Sequence, residues 1–105
     1  MSARMKKYRS EICKVAKCER EQRKKYINTV PNELILALGD ISHGLLYNKK
    51  LPIKLASRKK LKRQQNNLLK LSTRKLSYKK KRKILAQKGG QLFKDIWDGA
   101  KSLYS

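Results

Sequence analysis

Between Asp40 and Asp95 the chain runs for 54 residues without a carboxylate while carrying 18 Lys or Arg, including the unbroken run Lys79-Lys80-Lys81-Arg82-Lys83. A surface with that much like charge repels itself and is relieved by displacing counterions from a polyanion. The formal net charge of +22 on 105 residues extends the property to the whole molecule. The expected partner is nucleic acid, with double-stranded DNA favoured over RNA, although both backbones are polyanions.

A chain of this length makes at most one small domain with a modest core. Hydrophobic residues reach 39% of it, too many for a simple disordered basic tail. Alternating runs of Val, Ile and Thr do not occur, so the expected fold class is all-α, about four helices, with the basic segment fully ordered only on its partner. Cys13 and Cys18 are five apart with only His43 to join them, so no metal site is expected. Five residues turn a helix by about 140°, which disfavours a disulfide and favours reduced thiols in an intracellular compartment. No stretch approaches the roughly 18 apolar residues of a membrane span, and the basic start leads into no signal core.

Composition divides the chain into four parts. In residues 1–30, Met5, Tyr8, Ile12 and Val15 share one face of a helix expected from about Ala3 to Ile27, with Glu19 spaced to pair with Arg23. In residues 31–48, proline at the start and Glu33 near the positive dipole end place a helix from about Asn32. Its residues 34–38, 41, 45 and 46 are apolar nearly all round, so it should be the buried centre of the core. Residues 49–90, joined at Pro52, form a basic helical segment with a helix over about 56–71. Ser77 is a candidate N-cap for a further helix stopped by Gly89-Gly90, and one long helix over 56–88 is the alternative. In residues 91–105 an amphipathic helix puts Leu92, Phe93, Ile96, Trp97, Ala100, Leu103 and Tyr104 in one sector. Its polar side sums to zero charge, so it should dock on the protein's own core, the alternative being a protein partner.

The residues expected to contact phosphates are Lys59, Lys60, Lys62, Arg63, Arg74, Lys75 and Lys79, Lys80, Lys81, Arg82 and Lys83. The last five also fit a nuclear import signal, which suggests the host nucleus. Tyr78 beside them could stack on a base, but a lone Tyr is more often a structural contact. His43 on the apolar second helix reads as a satisfied structural histidine. Asp40, Ser42 and His43 hold the residue types of a hydrolytic triad but are too close in sequence to be arranged in line. With seven carboxylates, one histidine, no phosphate-cradling glycine loop and no metal cluster, neither enzyme chemistry nor a cofactor is expected. Two alternatives stay open. One is a sequence-specific helix-turn-helix reader using Arg63, Gln64, Gln65, Asn66 and Asn67; the other is a nuclear adaptor that captures a protein through Phe93 and Trp97.

From Asp40-Ile41-Ser42-His43, through Asn48 and Leu51 and a Lys-rich helix with spaced leucines, to Leu76-Ser77-Tyr78 and Lys81-Arg82-Lys83-Ile84-Leu85-Ala86-Gln87-Lys88-Gly89-Gly90, about half of the chain resembles the short basic proteins of Polinton/Maverick elements and adintoviruses. That family is likened to adenovirus-type core proteins such as protein X. The resemblance implies a role in packaging or condensing DNA in a virion. Many relatives end in a uniformly apolar tail after the Gly-Gly, whereas here the tail is amphipathic and carries two Asp. The expectation is a DNA-binding protein that neutralises phosphates without reading sequence.

Overall fold

The computed structural model describes residues 3–48 and 53–104; the join at Pro52, Leu51 and the side chain of Tyr104 lie outside the described residues. Every regular element described is helical, in the order α1 (Ala3–Lys17), α2 (Arg20–Thr29), α3 (Asn32–Tyr47), α4 (Leu55–Arg63), α5 (Gln65–Ser72), α6 (Tyr78–Ala86), a 3-10 turn (Gln87–Gly89) and α7 (Gln91–Tyr104). The all-α class holds, with seven α-helices among the described residues where about four were expected.

The additional helices come from breaks with tertiary causes. The helix expected over 3–27 stops at Lys17, and Glu19 is extended before α2. Arg23, spaced to pair with Glu19, is buried instead. Its Nη2 donates to the carbonyl oxygens of Ala16 at 3.3 Å and Cys18 at 2.9 Å, and its Nη1 donates to Gly89 at 3.1 Å. Carbonyls orphaned at a helix C-terminus carry partial negative charge, so a guanidinium satisfies them both as donor and as cation. The helix expected over 56–71 likewise breaks at Gln64. The break lets α4 lie against α7 while α5 lies against α3, and Leu61 and Leu68 both bury in the one core.

Other boundaries follow local chemistry. Pro31 precedes α3, whose first turn holds Glu33. Ser77 caps α6, its Oγ accepting from Lys80 N at 3.3 Å. The non-helical link from Thr73 to Ser77 excludes one helix over 56–88. After α6, Lys88, Gly89 and Gly90 have φ of 55°, 68° and 79°, a left-handed run that glycine adopts freely and lysine does not.

The core was expected from residues 32–46 and 91–104. Leu34, Ile35, Leu38 and Ile41 of α3 and Phe93 and Ile96 of α7 are fully buried, and so are Ile12, Ile27, Leu68, Leu71 and Leu85 from the other helices. The basic segment is therefore part of the scaffold as well as surface. α3 and α5 approach closely at Gly39, where a Cβ would stand 2.8 Å from the backbone oxygen of Leu71. No described helix is long and apolar enough to cross a membrane.

Candidate nucleic-acid interface

Three of the five residues in the Lys79–Lys83 run are free at the surface. Because α6 begins at Tyr78, the run starts in the first helical turn, where each exposed cation opposes the dipole by about 0.3–1 kcal/mol. Lys79, Lys80 and Lys83 are exposed. Arg82 is turned inward to the corner between α2 and α3. There its Nη1 donates to Ile27 O at 2.7 Å and its Nη2 to Val30 O at 2.7 Å and Asn32 Oδ1 at 2.8 Å. Lys81 is 3% exposed. A folded α6 therefore presents only part of the run to an import receptor or to DNA.

The exposed lysines of α6 form one wall of a groove of ≈ 760 Å³ whose other wall is α2. Lys24 comes from α2, Lys79, Lys80 and Lys83 from α6, and Lys88 closes the end; Arg82 lies at the base and no carboxylate lines the groove. Lys88 also borders an adjoining concavity of ≈ 340 Å³ with Lys60 and Arg63 of α4, where Asp95 is the only acid. Asp95 is buried and accepts a hydrogen bond from Gln91 Nε2 at 3.0 Å. The two concavities make a basic track from α2 across α6 to the end of α4.

The expected phosphate-contacting residues divide among several places. Lys79, Lys80, Arg82 and Lys83 share the groove, and Lys60 and Arg63 join it through Lys88. Lys62 borders an apolar depression with Leu45, Leu46 and Ile53, and Lys59 is exposed outside the described concavities. Arg74 and Lys75 line a separate pocket that also holds Lys81. Lys24 and Lys88 were not among the expected residues. Lys88 stands in the same basic string as its neighbours, but only the packing of α2 on α6 brings Lys24 to them.

Three carboxylates elsewhere are engaged with cations outside the track. Arg4 Nε donates to Asp40 at 3.2 Å, Lys7 Nζ stands 3.5 Å from Glu33, and Lys101 stands 3.6 Å from Asp98. The Tyr8 hydroxyl donates to Glu33 at 2.9 Å, and this bond, reinforced by the Lys7 charge, holds the Glu33 carboxyl below its ordinary pKa.

The geometry places the residues of the two alternatives as follows. The residues proposed as a recognition helix, Arg63 to Asn67, straddle the break between α4 and α5; Arg63, Gln65 and Asn66 are exposed, and Asn67 Nδ2 donates to Gln64 Oε1 at 2.9 Å. The adaptor face is occupied: Leu92, Phe93, Ile96 and Trp97 are buried against the core and Leu103 packs on it. His43, expected as a satisfied structural histidine on the apolar helix, is exposed and stacks at a tilt on Tyr47, 4.7 Å between ring centroids. Ser42 is buried and donates to Leu38 O at 2.8 Å, so it faces away from any triad. Cys13 and Cys18 are free thiols.

No family model matches this chain, and no curated protein or solved structure matches it either.

Proposed function

We propose that this protein binds the phosphate backbone of double-stranded DNA without reading base sequence, and that it acts by binding and not by catalysis. The observation that carries the reading is the α2–α6 groove, with Lys24 and Lys88 meeting Lys79, Lys80 and Lys83 around a space that no carboxylate lines. Cations crowded in this way raise the local potential and concentrate anions. Each phosphate neutralised releases condensed counterions from the duplex, which supplies affinity that is indifferent to sequence. The division of residues 63–67 between two helices supports backbone contact over base readout.

In the setting implied by the resemblance to core-like proteins of mobile elements, such binding condenses DNA for a virion and takes place in the host nucleus. The basic helices α4–α6 contribute Leu61, Leu68, Leu71 and Leu85 to the core, so this surface stands ready before DNA arrives.

The test is a variant with Lys24, Lys79, Lys80, Lys83 and Lys88 each replaced by Gln, leaving Lys81 and Arg82 in place. It should melt no lower than the parent, because like-charge repulsion is relieved, and should lose most of its affinity for random-sequence duplex. Neutralising all of residues 79–83 would be a poorer test, because it also removes the Arg82 hydrogen bonds that hold α6 to α2. Unchanged DNA affinity in the five-site variant would refute the groove as the interface.

A further inference from the structure

On the face of α6 turned away from the groove lies a second concavity of ≈ 770 Å³, bounded by α1, α3, the end of α5 and the start of α6. Lys81 lines it and is 3% exposed. No described residue gives its ammonium a hydrogen-bond or ion-pair partner, in contrast to Arg82, the next residue, with three acceptors. An ammonium held on so enclosed a side chain gives up part of its hydration, a loss that an opposite charge beside it compensates. The one carboxylate on the wall, Asp40, is engaged by Arg4 through bonds of 3.2 and 3.4 Å.

We infer that this concavity is a binding site for a phosphate monoester, the terminal phosphate of a nucleotide, with Lys81 as its principal charge. The remaining wall suits that ligand. Arg74 and Lys75 stand on the connection from α5, and Ser77 and Tyr78 bring the positive end of α6 to the same space. A helix N-terminus and an unpartnered ammonium on a largely enclosed side chain are independent reasons for an anion to settle there. Tyr78 and His43 on the wall offer rings against which a base can stack. Burial also lowers the Lys81 pKa from the ordinary lysine value, the direction expected of an ammonium that lacks its counter-charge. The site goes beyond the groove reading and does not depend on it, because α6 separates Lys81 from Lys79, Lys80 and Lys83.

The experiment is calorimetric titration of the full chain, in salt high enough to suppress groove binding, with adenosine 5′-monophosphate, with adenosine and with inorganic phosphate. A second pair of titrants, a short single strand with and without a 5′-phosphate, distinguishes a strand end from a free nucleotide as the source of the phosphate. One-to-one binding of the monophosphate, with adenosine at least tenfold weaker, is expected. Lys81→Met should keep the fold, because its unbranched stem fills the same space, and should lose at least tenfold in monophosphate affinity. Arg74→Gln, at an exposed position, should weaken the same ligand with no change in melting temperature. The groove variant with Gln at 79, 80 and 83 should bind the monophosphate as the parent does. Absence of binding to the parent chain, equal affinity for adenosine, or equal affinity in Lys81→Met would overturn the assignment.

Discussion

Arg82 donates from α6 to the carbonyl oxygen of Ile27 at 2.7 Å, at the end of α2 where helix carbonyls lack partners of their own. The same guanidinium reaches Val30 and Asn32, so one side chain ties α6 to the corner between α2 and α3 and sets the width of the basic groove. Charge here has two uses within five residues: Lys79, Lys80 and Lys83 project it outward, and Arg82 spends it on the fold.

Arg82→Ala should therefore destabilise the protein by at least about 1.5–3 kcal/mol, the worth of one hydrogen bond to a charged group. Arg82→Lys should recover little of this, because an ammonium cannot span the acceptors as a planar fork does. Urea denaturation of the three proteins checks both statements, and a lysine variant as stable as the parent would show that charge alone is enough.

Gly39→Ala sets two effects against each other. Alanine gains about 1 kcal/mol in helix propensity, but its Cβ would stand 2.8 Å from Leu71 O, a backbone atom that cannot swing aside. Overpacking of this kind costs about 1–3 kcal/mol, so a net loss of up to about 2 kcal/mol is expected. Thermal melting decides it, and a rise in melting temperature would mean that α3 and α5 lie farther apart.

Several elements were legible because their signals are local. Asn32 as the start of α3, Ser77 as the cap of α6 and the apolar sector of α7 all follow from residues within a turn or two of each other, whereas α6 ends at Ala86, with Gln87 extended, ahead of the Gly89-Gly90 pair expected to stop it. The breaks at Cys18-Glu19 and at Gln64 were not legible, since they answer to distant partners: Gly89 for Arg23, and α7 and α3 for α4 and α5 respectively. The same holds for the site. Lys81 and Arg82 are indistinguishable from their neighbours as letters in a basic run, and Lys24 joins them only once α2 lies beside α6.

The carboxyl of Glu33 gives a pH-dependent handle on the packing of α1 against α3. Its pKa is depressed by the Tyr8 hydroxyl and then by Lys7, so its contribution to stability is present above the ordinary value of 4.5 and is lost as pH falls through the lower folded value. Tyr8→Phe should move the Glu33 carboxyl upward in an NMR titration and reduce the sensitivity of melting to acid. An unchanged Glu33 titration would show that the hydrogen bond is absent in solution.

With Leu61, Leu68, Leu71 and Leu85 in the core, the basic helices should be formed without ligand. Far-ultraviolet circular dichroism should gain little helical signal when DNA is added. A large gain would restore the expectation, drawn from charge, that this segment orders only on its partner.

The central claim is that exposed cations on one track neutralise phosphates, and the salt dependence of binding to random-sequence duplex DNA tests it most directly. If Lys24, Lys60, Arg63, Lys79, Lys80, Lys83 and Lys88 each neutralise one phosphate, log K should fall against log salt with a slope of about −6, and the variant with Gln at 24, 79, 80, 83 and 88 should fall with a slope of about −2. A parent slope near about −1, or one that the five substitutions leave unchanged, would contradict the groove as a phosphate-binding surface.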